Sequence, residues 1–186
     1  MAGAQVVPIF YHYSNSQIET LLGNINGVFF PGGEMPIAWG NEWLDKTALI
    51  FNYAKKQNDL GNVYPVWATC RGYEAVMFIT SGQTDYRTVL TPVTGQNGLT
   101  CPLIVKNSNS KLLKTLSEAE RSDATTGSGL FFYHHYWAVM LDTYNSNSNW
   151  TNFWNLISTS KTIYGQEFLS TLEAKEYPFY LIQYHP

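Results

Sequence analysis

Two short apolar runs, GVFFPGG (27–33) and VYPVWATC (63–70), bracket a longer segment of different period, EWLDKTALIFNYAKKQND (42–59). Within that segment Leu44, Ala48, Phe51 and Ala54 recur at three- and four-residue spacing, which gathers them on one face of an α-helix. The flanking runs are β-branched, aromatic and bounded by Gly or Pro, the composition of strands. Two strands joined by a helix run parallel, because a crossover of that length is what returns the chain to the same direction. The alternation therefore sets the class as α/β with a parallel sheet and covering helices. It continues on both sides: QVVPIFY (5–11) reads as a strand, SQIETLLGN (16–24) as a helix with Ser16 as its cap, and GYEAVMFIT (72–80) as the next helix.

The second half is less regular. NSKLLKTLSEAERSD (109–123) predicts an exposed helix, with a turn over 124–129 behind it. GLFFYHHYWAVM (129–140) predicts a strand carrying two histidines, NSNSNW (145–150) a polar loop, and TNFWNLIS (151–158) a short helix. QEFLSTLEAKEYPFYLIQYHP (166–186) reads as a hairpin turning between Glu173 and Pro178. No repeat or linker divides the chain, so residues 1–186 are read as one domain. Apolar content of 45% against 13% charged suits a packed interior rather than disorder. A net charge of -3 leaves no basic footprint for nucleic acid, and the longest apolar runs fall short of a membrane span. The opening MAGAQVVPIF shows neither the basic nor the long apolar region of a signal peptide. Cys70 and Cys101 are compatible with one bridge or two free thiols, and Asn149-Trp150-Thr151 is a single glycosylation sequon.

YPVWATCRGYE (64–74) holds the strongest chemical signal. A strand that ends in Cys70 and turns through Gly72 into a helix sets the sulfur at a helix N-terminus. There the backbone N–H groups and the helix dipole favour the thiolate, which is the nucleophilic form. The same turn leaves N–H groups free to hold an oxyanion. This is the geometry of the G-x-S-x-G elbow with cysteine in place of serine, although Ala68 replaces the first glycine. The plain alternative is a buried, inert cysteine, which is the commoner fate of a free thiol. A nucleophile also needs a base. His12 connects to nothing else, and His134 and His135, in mid-strand, point to opposite faces. His185 follows the strand FYLIQY and precedes Pro186, at the carboxyl end where parallel sheets collect ligands.

Taken in order, INGVFFPGG, YPVWATCRGYE, HHYW and YPFYLIQYHP resemble motifs of the γ-glutamyl hydrolase family. These are cysteine peptidases of the class I glutamine amidotransferase-like superfamily, and the resemblance runs essentially the whole chain. It implies a doubly wound, mostly parallel, flavodoxin-like sheet with a nucleophile elbow at Cys70. It implies Cys70 as nucleophile and His185 as catalytic histidine, with the backbone N–H groups of Gly33 and Arg71 as the oxyanion hole. His135, Glu74 and Gln183 match positions that line the substrate pocket. The implied substrate is a small γ-glutamyl peptide, typically the polyglutamate tail of a folate, cleaved without metal or cofactor. Neither nucleic acid nor membrane is implied as a partner, a homodimer stays open, and family members are commonly lysosomal, vacuolar or secreted.

The chain departs from the pattern in places. Ala68 and Arg71 stand where glycine and leucine are usual. The family places a glutamate directly after the position of Pro186, then a C-terminal helix, and begins with a strand and helix ahead of AGAQVVPIF. The expectation is a domain cut at both ends, either a fragment of a longer enzyme or a divergent copy acting as a binding or structural protein. A glutamine amidotransferase-type module delivering ammonia is the other enzymatic reading.

Overall fold

Capping decides where the first helix begins. In the computed structural model, which describes residues 3–94, 98–126 and 130–185, the cap of α1 (Asn15–Leu22) is Ser14 rather than Ser16. The Ser14 hydroxyl accepts from the Gln17 N–H at 3.2 Å while the Gln17 side chain accepts from the Ser14 N–H at 2.9 Å, a reciprocal capping box. The chain continues as β1 (Val28–Phe30), α2 (Glu42–Asp59), β2 (Val66–Thr69) and α3 (Arg71–Ser81). Short elements follow: β3 (Thr91–Pro92), β4 (Leu99–Thr100), β5 (Ile104–Val105), α4 (Lys111–Lys114), α5 (Glu118–Thr126), β6 (Phe132–Tyr133) and β7 (Trp137–Ala138). The last quarter holds α6 (Leu141–Ser146), α7 (Ser148–Phe153), β8 (Trp154–Lys161), β9 (Glu167–Ala174) and β10 (Phe179–Ile182).

The helical period of 42–59 is realised over its whole length. Leu44, Ala48, Phe51 and Ala54 are buried, Asn41 caps the helix, and Glu42 and Asp45 lie at its positive end. The six-stranded sheet runs β1-β2-β10-β9-β8-β5. Strands β1, β2 and β10 are mutually parallel, with Val66 opposite both Val28 and Phe179. From β10 outward the pairing is antiparallel, so the sheet is mixed rather than mostly parallel. The reason is local. The connections after β8 and β9 are tight turns, and only a crossover could have kept those strands parallel. One face is covered by α1, α2, α3, α6 and α7 around Phe51, Val76, Phe78, Trp150 and Phe179. The other carries Ile182, Phe168 and Tyr184 and is closed mainly by short pieces between Val93 and Met140 rather than by long helices.

Several other expectations are corrected. QVVPIFY forms no strand; Val6 is 87% exposed, and Pro8 removes a donor that a ladder needs. The predicted helix over 109–123 divides into α4 and α5, because Ser110 and Ser117 each cap a separate start. The predicted strand over 129–140 contracts to β6 and β7, in separate two-stranded sheets with the histidines between them. The NSNSNW loop lies in α6 and α7, with Asn147 accepting from the Trp150 N–H at 3.2 Å. Most of the TNFWNLIS helix is instead the start of β8, held by cross-strand pairing with β9 that overrides local propensity. The hairpin is as expected, β9 and β10 pairing antiparallel across the turn. Of the turn over 124–129, Ala124 to Thr126 are helical and 127–129 lie outside the described residues, as does Pro186.

Candidate active site

Cys70 occupies the junction between β2 and α3 with φ 52° and ψ -112°, the one non-glycine residue of positive φ among the described residues. A side chain held there is strained, and such strain persists only where the surroundings fix it. They do so from both sides: the Cys70 N–H donates to the Ile182 carbonyl at 2.9 Å, and its carbonyl accepts from the Glu74 N–H at 2.9 Å. Gly72 lets α3 approach β1 closely, since a Cβ on it would lie 2.7 Å from the Phe30 Cβ. Its N–H donates to the Pro31 carbonyl at 3.1 Å, which ties the loop after β1 to the start of α3.

Cys70 is only 6% exposed, and its thiol donates to the His134 carbonyl at 3.6 Å.

 Burial pushes the Cys70 thiol up to about 11, and the nearby Glu74 carboxylate adds to this. The backbone N–H groups of Arg71 and Gly33 and the Arg71 charge pull the other way without prevailing. The N–H groups at this helix start thus favour the thiolate as expected, but burial outweighs them and keeps the resting group a thiol. Those two N–H groups come from different segments, Arg71 from the start of α3 and Gly33 from the loop after β1. Gly33 adopts φ 156°, a conformation that suits glycine.

His185 reaches the same place from the end of β10. Its N–H donates to the Phe132 carbonyl at 2.8 Å, and the resulting bridge to β6 holds the residue extended. Both side chains lie beside Gly32: a Cβ built on it would sit 3.1 Å from His185 Cε1, 3.3 Å from Cys70 Cβ and 3.7 Å from Cys70 Sγ. The ends of β2 and β10 therefore bring Cys70 and His185 together beside one glycine. Burial lowers the His185 pKa, and the neighbouring His134 lowers it further, so the imidazole is a neutral proton acceptor near pH 7.

His135 is 3% exposed, and its Nδ1 bonds the Trp137 carbonyl at 2.7 Å. That bond places the proton on Nδ1 and leaves Nε2 as a buried acceptor without a partner. Burial pushes its pKa down to about 4, with His185 and His134 contributing. His134 is exposed and stacks on Phe132 at 6.2 Å. The two histidines therefore do differ in environment, yet both bear on the site, His134 through its carbonyl and its proximity to His185. Glu74, 2% exposed, accepts from Arg71 Nη1 at 2.7 Å and from Gln183 Nε2 at 3.3 Å. Burial pushes the Glu74 carboxyl up to about 7 despite these partners. Gln183 is fully buried and its Oε1 has no partner.

Two groups at the site, Gly32 and the main-chain carbonyl of His134, were not singled out by sequence. Gly32 carried a signal, the first glycine of FPGG, whose need for space only the fold makes visible. The His134 carbonyl carried none, because a main-chain acceptor has no sequence signature. Two open cavities of about 330 Å³ lie elsewhere, one lined by Leu103, Leu113 and Arg121 and the other by Asn15, Glu42 and Lys46. Among the described residues no group of three His, Cys, Asp or Glu side chains is placed to hold a metal ion. No helix among them is long and apolar enough to cross a membrane.

Fold and site together define an α/β protein that presents a cysteine at a strand-to-helix turn beside a histidine from a neighbouring strand. No protein-family model matches the chain. Individual relatives do: the chain is 30% identical to gamma-glutamyl hydrolase B of Dictyostelium discoideum over 187 residues, covering 100% of this chain and 52% of that protein. It is 29% identical to human gamma-glutamyl hydrolase over 190 residues, covering 100% of the chain and 56% of the relative. It is also 30% identical to probable gamma-glutamyl hydrolase 3 of Arabidopsis thaliana over 196 residues, covering 99% and 51%. Over its whole length the chain thus resembles proteins of the γ-glutamyl hydrolase family. It spans about half the length of the curated relatives it matches.

Proposed function

We propose that this chain carries a thiol hydrolase site that cleaves γ-glutamyl amide bonds through a thioester. The observation that carries the reading is the proximity of Cys70 and His185, both within 4 Å of a Cβ built on Gly32, with the Arg71 and Gly33 amides at the sulfur. Because thiol and imidazole are both neutral at rest, proton transfer accompanies attack. His185 takes the Cys70 proton as the sulfur bonds to the γ-carbonyl carbon, and the carbonyl electron pair moves to oxygen between the two amides. Collapse breaks the C–N bond, and His185 returns the proton to the leaving amine. Water then adds to the thioester while His185 takes its proton, and release of the γ-carboxyl restores the thiol. His135 Nε2 and Gln183 Oε1, both buried acceptors, would receive donors of the substrate. The relatives' names favour such a hydrolase over an amidotransferase module.

One observation favours a second reading, a binding protein without turnover: the thiol is directed at the His134 carbonyl, and burial holds it protonated. Incubation with a γ-glutamyl peptide separates the two. The hydrolase reading expects free glutamate that disappears in Cys70→Ala. Peptide binding by calorimetry without glutamate release would support the second, and full activity in Cys70→Ala would overturn the mechanism.

A further inference from the structure

The loop between β1 and α2 presents Gly33 to the sulfur, yet beyond the Gly72–Pro31 bond at its start little holds it. Residues 31–34 and Pro36 are exposed, and a Cβ on Gly33 would meet nothing within 4 Å. Such a segment needs a specific tie if one of its amides is to stay aimed at a reacting atom. Arg71 supplies one. Its Nε donates to the Met35 carbonyl at 2.6 Å, while its Nη1 donates to Glu74 Oε2 at 2.7 Å. The guanidinium side chain is only 15% exposed and the Glu74 side chain 3%, so both bonds are sheltered from water. The fork is planar and rigid, which lets one side chain satisfy two acceptors in fixed directions. Arg71 also begins α3, and its own amide is the other donor at the sulfur.

We infer that Arg71 is a positioning residue whose side chain straps the 31–36 loop to α3 and so holds the Gly33 amide together with its own, forming the two-donor site at Cys70. The inference rests on the reading of Cys70 as nucleophile. Glu74 is the anchor at the other end of the strap: buried, one helical turn below the cysteine, and held in turn by Gln183. The groups that face the sulfur are Arg71 and Glu74 from α3, His134 from the β6–β7 loop, and His185 after β10. The Cys70 thiolate is itself an anion between the two amides, so its formation reports their placement without any substrate.

The test uses that report. In a Cys101→Ser background, the rate of Cys70 alkylation by iodoacetamide is followed against pH for Arg71, Arg71→Leu and Arg71→Lys, and amide exchange of residues 32–35, the loop positions that carry an N–H, is followed in parallel. Loss of the strap is expected to move the alkylation midpoint upward by about one pH unit, roughly tenfold in rate on the rising limb. Exchange of 32–35 should rise while that of 42–59 stays unchanged. Lys keeps the charge but lacks the fork, so it should recover only part of the shift and none of the exchange protection. Full recovery by Lys, or a profile or exchange pattern unmoved in Leu, would overturn the strap. Turnover of a γ-glutamyl peptide is measured beside these, and a fall in kcat with little change in KM is expected in Arg71→Leu. A chain without turnover in any form removes the proposed reaction, while alkylation and exchange still decide the strap.

Discussion

On one face of the sheet Phe179 packs against Phe51, Phe153 and Tyr177 at ring separations of 5.4, 6.4 and 5.1 Å, beneath α2 and α7. On the other, the Tyr133 hydroxyl bonds Ser160 at 2.8 Å and Ser170 at 3.0 Å, and Thr171 links Ser158 at 2.8 Å to Tyr184 at 3.2 Å. The first face is held by burial, which is non-directional and needs long amphipathic surfaces. The second is held in part by directed bonds, which can fix strands as short as β6 where little area is buried. The candidate site lies where the two meet: Cys70, Arg71 and Glu74 come from the first layer, and His134 and His135 from the second.

The comparison predicts unequal responses to truncation. Phe179→Ala removes a fully buried ring from the centre of the apolar layer and should cost about 3–5 kcal/mol in urea unfolding. A cost near that of a surface change would mean the layer repacks freely, and the contrast between faces would fail. Tyr133→Phe keeps the ring but takes the hydroxyl from two buried serines, at about 1–3 kcal/mol. Ser160 retains a bond to the Pro102 carbonyl at 3.2 Å, which places the value toward the lower end.

A smaller effect is spread over pH and sets the two layers against each other. Glu74 has its pKa raised by burial, so between the unfolded value of 4.5 and about 7 the folded chain holds a proton that the unfolded chain releases. Its contribution to stability is complete below 4.5 and is lost as pH rises toward 7. His135 acts oppositely. Its pKa is lowered from 6.5 to about 4, so stability rises with pH through that window as the unfolded chain gives up its extra proton. The two slopes offset one another below 6.5, and the decline from Glu74 stands alone just above. Comparing unfolding of the wild type with Glu74→Gln from pH 5 to 8 should show the variant gaining relative stability as pH rises. A constant difference would place Glu74 in a wetter, more easily ionised setting.

The contrast also explains what was legible in the sequence. The helix over 42–59 was readable because Leu44, Ala48, Phe51 and Ala54 repeat at the period that burial on one face demands. The cysteine turn was readable because Cys70 and Gly72 are residue types that few other geometries need together. The second layer hid for a physical reason. Tyr133, Ser160 and Ser170 meet from segments far apart, and hydroxyls that bond across such distances leave no period. Trp154 to Ser158 read as helix because their pairing with β9 is non-local and outweighs their local preference. His135 was identified by resemblance, whereas its bond to Trp137 and its bare Nε2 follow only from the loop that β6 and β7 frame.

The smallest predicted effect tests the same distinction between local and distant determinants within a single turn. Two serines, Ser14 and Ser16, precede the apolar residues of α1, and composition treats them alike. Only Ser14 has the extended backbone of a cap, φ -61° and ψ 155°, and only it exchanges bonds with Gln17. Ser14→Ala should therefore cost about 1 kcal/mol, the usual value of an N-cap side chain. Ser16→Ala removes a side chain from an exposed helical position and should stay within about 0.5 kcal/mol. Both are read from urea midpoints at constant m. Equal costs would mean that α1 begins at either serine in solution, and that the reciprocal Ser14–Gln17 bonds do not set its start. A clear excess for Ser14 would show the reciprocal bond deciding where the helix begins, a choice that residue type alone leaves open.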